Sequence, residues 1–176
     1  MFRGFIASTV LFLTGTTAVG QVQAVPAHTE FPAKIEEAIA KDIDFRRSPG
    51  ASTYRTRLRE GLKGGVNFAG RYILTGWGCG TGCTFGAIID GRTGRVYFPD
   101  QLRSITVWFG NTNEELDTFE FKKDSRMLIL RGTPGPMDED LDVFDNPKQG
   151  TYYYEWMGTR FRLIKFVPQE PKTDGK

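Results

Sequence analysis

A chain of 176 residues with 39% hydrophobic and 13% aromatic side chains is long enough for one domain with its own core and too short for several. Its net charge of +2 lacks the basic surplus of a general nucleic-acid binder. The single histidine, His28, leaves few of the mechanisms that use an imidazole base.

Residues 1–24 read as a secretory signal peptide. Arg3 supplies the positive start, Phe5 to Leu13 is apolar apart from Ser8 and Thr9, and Val22-Gln23-Ala24 puts small residues before the cut. The apolar run falls short of the ~20 residues that span a bilayer, so no stable membrane insertion is expected after cleavage. The competing reading is a buried N-terminal helix. Cleavage before Val25 places the mature chain in the periplasm or outside the cell, where cysteines oxidise. Residues 25–168 then form a single β-rich domain, and 169–176 form a flexible tail.

Val25 to Glu30 reads as a loose lead-in. A helix is predicted from Pro32, with Ile35, Ala38, Ile39 and Ile43 at helical spacing. A second is predicted over 52–63, with Tyr54, Leu58 and Leu62 on one stripe and Gly64-Gly65 as its stop. Its Arg55, Arg57, Arg59 and Lys63 read as a solvated face rather than an anion site.

From Phe68 the period changes to two. Strands are predicted over 71–77, 84–90, 96–98, 104–109, 118–121, 127–131, 152–156 and 160–167, with turns at 90–95, 122–125 and 157–159. A long polar connection runs from Gly132 to Gly150. The expected class is α+β: an antiparallel meander of serial hairpins, about six to eight strands, with one or two N-terminal helices.

The densest cluster of glycines surrounds the only two cysteines, in Gly76-Trp77-Gly78-Cys79-Gly80-Thr81-Gly82-Cys83. Opposed positions in a hairpin lie about 4.5–5.5 Å apart at Cα, within disulfide range, so a three-residue loop would let Cys79 and Cys83 pair. The register follows: Trp77 opposes Phe85, Thr75 opposes Ala87, and Ile73 opposes Ile89, all on the cysteine face. The other face carries Gly76, Gly78 and Gly86, a patch without side chains. Either another part of the chain or a partner approaches that patch closely. A redox role is the rival for the cysteines, but thiols of that kind sit at helix N-termini or beside cations, and no charge lies between Thr75 and Ile89. No Gly-Lys-Ser/Thr follows, so this is not a phosphate-binding Walker loop.

The run Asn67-Phe68-Ala69-Gly70-Arg71-Tyr72, the Trp77 to Cys83 core, and Ile88-Ile89-Asp90 with Thr93-Gly94-Arg95-Val96-Tyr97 together resemble a group of small exported proteins of Gram-negative bacteria. Asp124 to Leu128 and Phe161 to Ile164 fit the same pattern. The resemblance implies export and a β-rich fold, and carries no catalytic role with it.

Other chemistry is thin. A Ser-His-Asp, Cys-His or His-containing zinc site would need His28, in the lead-in. Asp138-Glu139-Asp140-Leu141-Asp142 spaces carboxylates like a calcium loop, but Val143 and Gln149 stand where an EF-hand needs Gly and Glu. Trp77, Trp108, Trp156 and Tyr152 to Tyr154 read mainly as core. Alternation along 152–156 sets Tyr153 and Glu155 against Tyr152, Tyr154 and Trp156, which leaves at least one aromatic of that strand exposed.

The expected function is therefore non-catalytic binding in the cell envelope, to a protein or a glycan, without cofactor or metal. The contact residues expected are Gly76, Trp77, Gly78, Gly80, Thr81, Gly82, Phe85 and Gly86. The alternatives are a small carboxylate-dependent hydrolase or binder of envelope glycans, and a thiol–disulfide redox protein.

Overall fold

A computed structural model of the chain describes residues 24–37, 39–106, 117–135 and 148–169. The signal segment up to residue 23, Trp108 with the end of the predicted 104–109 strand, the acidic run 138–142 and the tail from residue 170 lie outside the described residues.

The class is α+β. Among the described residues there is one α-helix, α1 (Arg55–Lys63), and eight strands in two antiparallel sheets. The first sheet holds β1 (Tyr72–Gly80), β2 (Cys83–Asp90), β3 (Val96–Tyr97) and β4 (Ile105–Thr106), with β2 paired to the other three. The second runs in sequence order through β5 (Phe119–Phe121), β6 (Met127–Gly132), β7 (Gly150–Trp156) and β8 (Phe161–Pro168). A bridge between Thr106 and Thr133 joins them at one corner. No helix among the described residues is long and apolar enough to cross a membrane.

Period-two alternation sorts each strand's side chains into two layers. Tyr72, Leu74 and Ile88 of the first sheet pack against Leu128, Leu130, Tyr152, Tyr154 and Trp156 of the second, forming the main core. On the other face of the first sheet, Ile73, Ala87, Ile89 and Val96 lie under Leu58 and Leu62 of α1. The predicted stripe of the second helix is thus what docks it.

The first predicted helix does not form: no helix is present over 32–37 or 39–44. The segment is instead a strap laid across the turns. Ala33 N donates to Asp124 O, Glu36 N to Gly70 O, Ala40 N to Gly91 O and Asp44 N to Gly94 O. Helical spacing of four apolar residues cannot outweigh this, because an isolated helix of about a dozen residues is marginal in water. The stripe is also not one face: Ile35 and Ile39 are about half exposed, and Ile43 is buried. Gly70 and Gly94 make room for the strap. Both have positive φ, and a Cβ there would come within 2.1 Å of Lys34 O and 2.3 Å of Asp42 O. Asp42 also grips Arg59 of α1 through two hydrogen bonds of 2.9 and 2.7 Å.

Two further expectations are corrected. The lead-in is not loose, because 28–30 form a 3-10 turn and Ser125 Oγ donates to His28 O at 3.0 Å. No aromatic of β7 is exposed. Tyr153 is buried with Met127 and Ile129, and Phe31 of the strap packs on them. The strap supplies a layer that strand alternation alone does not foresee.

Candidate functional site: the clamped hairpin

The β1–β2 hairpin has the predicted register. Ile73 pairs with Ile89, Thr75 with Ala87 and Trp77 with Phe85. Cys79 and Cys83 form a disulfide with Cα atoms 5.2 Å apart. The turn itself differs from the expected three-residue loop. After Gly78–Thr84 the next pair is Gly80–Cys83, so Cys79 is an extra residue on β1 and the turn is Thr81-Gly82. Gly82 has φ 66°, which permits so short a turn. Cys79, Gly80 and Thr81 are exposed, and Cys83 is half-buried beside Ser104.

The two faces have different fates. On the cysteine face, Trp77 stacks on Phe85 with centroids 5.2 Å apart, and Tyr54, just before α1, lies 4.9 Å from Phe85 and 5.0 Å from Trp77. These rings are all half-buried. On the glycine face, Phe119 of β5 takes the space over Gly76 and shares the space over Gly86 with Leu102. Gly78 is left open, with nothing nearer to a notional Cβ than Cys83 O at 4.0 Å. A shallow groove of about 450 Å³ runs there between Gly76, Trp77, Gly78 and Thr84 on one side and Asp117 to Phe119 and Phe121 on the other.

The outer edge of β1 is half closed. Tyr72 bonds back to Phe68, and the Asn67 side-chain amide takes both backbone groups of Leu74, donating to its O at 3.0 Å and accepting from its N at 2.8 Å. Asn67 thus acts as a one-residue partner strand. By the same alternation Gly76 and Gly78 turn their N–H and C=O outward. These have no hydrogen-bond partner among the described residues.

All eight expected contact residues are therefore in the hairpin, but they do not form one surface. Gly86 is buried, whereas Gly76, Gly78, Gly80 and Thr81 are exposed, Gly76 with Phe119 against its Cα. Asn67 was not foreseen. Its signal would have been a polar amide before a strand of otherwise unmatched edge length, and spacing alone does not distinguish that from a turn residue.

Comparison with family models, curated proteins and solved structures gives no match. The chemistry must be read from the side chains alone.

His28 has its side chain only 9% exposed, with neither ring nitrogen hydrogen-bonded, and Glu120 stands 3.6 Å away. Burial pulls its pKa below 6.5, Lys122 adds to that, and Glu120 and Asp124 oppose it. Among the described residues no serine or cysteine is hydrogen-bonded to its ring. Among the described residues the two buried carboxylates, Asp90 and Glu155, are both answered by arginine. Arg71 lies 3.4 Å from Asp90, which also caps its own turn by accepting from Arg92 N and Thr93 N. Glu155 is held between Arg126 and Arg162. Glu120 is kept below the ordinary carboxylate range by its hydrogen bond from Arg131. Among the described residues no group of three or more His, Cys, Asp or Glu is placed to hold a metal ion.

Proposed function

We propose that this is an exported protein of the bacterial envelope that binds a protein partner without catalysis, as an inhibitor does, through the tip of the clamped hairpin. One observation carries the reading. At the tip, a disulfide-fixed turn, a stretch of strand edge with no partner among the described residues and a partly exposed tryptophan occur together on a two-sheet support. Such a site offers backbone hydrogen bonds and an aromatic anchor at little ordering cost. Among the described residues the groove beside it is lined by no titratable group apart from Asp117, which suits recognition better than proton transfer. The disulfide fits an oxidising compartment. The arginine-paired carboxylates lend nothing to the hydrolase alternative, and a run without charge from Thr75 to Ile89 lends nothing to the redox one.

The test is site-specific photo-crosslinking in envelope fractions of the native host. A benzophenone amino acid at Thr81 should give a discrete adduct, and one at Arg46 on the strap side should not. Trp77→Ala should weaken the Thr81 adduct several-fold. Failure to obtain any Thr81 adduct, or one indifferent to Trp77→Ala, would sink the proposal. N-terminal sequencing of the exported form should begin near Val25.

A further inference from the structure

The outer edge of β1 is closed near its start and open near the tip. The residues that turn their backbone groups outward are Tyr72, Leu74, Gly76 and Gly78. Phe68 answers Tyr72, and the Asn67 amide answers Leu74. At Gly76 and Gly78 nothing does so among the described residues, and both glycines are exposed. The edge there presents N–H and C=O groups to solvent in strand geometry. Folded proteins cover or blunt such edges, because an open one pairs with another chain.

The surroundings limit what kind of chain fits. A strand added antiparallel to β1 places the side chain opposite Gly78 on the glycine face, since directly opposed residues share a face. That space is empty of the protein's own atoms: a Cβ on Gly78 would meet only Cys83 O, at 4.0 Å. Beside it the groove is walled by Phe119 and Phe121, both half-buried, with Thr84 across from them. An apolar side chain there covers what remains exposed of the two rings. Asp117 stands exposed at the same groove, which is lined by no cation among the described residues. One negative charge is left for a basic residue to meet. A second copy of this chain, pairing through the same edge, would bring another Asp117 and no cation, and so is the poorer occupant.

We propose that the partner contributes an extended peptide segment, which adds antiparallel to β1 at Gly76 and Gly78. It carries an apolar side chain over Gly78, against Phe119 and Phe121, and two residues along on the same face a Lys or Arg facing Asp117. The backbone bonds hold the segment and the two side chains select it. This inference rests on the binding role given to the hairpin and names what the partner brings to it.

The test uses the mature protein, with a phage-displayed library of random linear dodecapeptides as probe. Selection should yield peptides with an aromatic or branched apolar residue two positions from Lys or Arg. A synthetic copy of a selected peptide should bind one-to-one. In a ¹H–¹⁵N spectrum the Gly76 and Gly78 amides should then move downfield and exchange more slowly. Methylating the backbone nitrogens of the peptide's apolar and basic residues keeps its side chains and removes their donors. Affinity should fall roughly ten-fold, about the worth of one or two hydrogen bonds. Gly78→Pro removes an outward N–H at an edge, where a sheet tolerates proline, and should have a similar effect. If that variant fails to fold, the methylated peptide on wild type decides. Asp117→Asn should abolish the preference for Lys over Gln at the basic position. Failure to select any peptide that binds in solution overturns the proposal, as does binding indifferent to methylation. So does a dimer in sedimentation velocity that Gly78→Pro dissociates, which would give the edge to a second copy. A Thr81 adduct without peptide binding overturns the added strand and leaves the hairpin's binding role standing. Peptide binding without a Thr81 adduct supports the added strand and overturns the envelope partner.

Discussion

Gly76 and Gly78 are neighbours on one face of one strand, yet they are glycine for different reasons. At Gly76 an added Cβ would lie 2.9 Å from the Phe119 ring, whereas at Gly78 it would meet nothing within ordinary contact distance but Cys83 O at 4.0 Å. Gly76→Ala should therefore lose about 1–3 kcal/mol through overpacking. Gly78→Ala should stay within about 0.5 kcal/mol of wild type. Urea midpoints of the two variants, compared at equal m-values, check this, and equal losses would contradict the assignment of Phe119 as the filler. The sequence already marks both positions as a surface that something approaches, because strands seldom carry three glycines on one face. It does not say what approaches, since Phe119 lies more than thirty residues away and only the packing of the two sheets brings it there.

The hairpin is the element most legible in the chain. Two cysteines at a loop set a register, and the period-two alternation carried it correctly as far as Ile73 and Ile89. The turn length was not legible, because Gly80 and Gly82 allow either a three-residue loop or a two-residue turn with a bulge. The ring closed by the disulfide is small, so its loss should cost only roughly 2 kcal/mol on the chain-entropy account. The Cys79→Ser/Cys83→Ser variant should unfold at correspondingly lower urea and keep the rest of its spectrum. Its amide exchange should rise at the tip and not at Leu74, which Asn67 holds independently. Uniform loss of protection along β1 would mean that the disulfide supports the whole sheet. The strap was misread for a definite reason. Its apolar spacing imitates a helix, but its backbone groups are taken up by turns as distant in the chain as Asp124, which accepts from Ala33 N.

For the molecule as a whole, the strap and the segment before it pack on the second sheet, and His28 lies at that junction beside Glu120, Lys122 and Asp124. Its pKa is lowered on folding, so between the folded value and 6.5 the unfolded chain binds more protons. Stability from this group is complete above pH 6.5 and is lost as the pH falls below it towards the folded pKa. The urea midpoint of wild type should drop more steeply below pH 6.5 than that of His28→Gln, with the two curves parallel above it. Parallel curves down to pH 5 would show that the ring is hydrated in the folded state. The α+β class, the hairpins and the second helix follow from periodicity and turn residues. The stacking of two sheets, and a strap in place of the first helix, do not, because both are decided by contacts between distant segments.

The strap has a consequence for the order of events as well as for the finished structure. Its anchors come late: Phe31 O accepts from Arg126 N, Ala33 N donates to Asp124 O, and Phe31 packs against the cluster that includes Tyr153 of β7. The part of the domain synthesised first therefore waits for the part synthesised last. Contacts of such long sequence separation slow folding, because a large loop must close before they contribute. A chain built this way stays incomplete while it is being made, and acquires its final layer only once β7 is free.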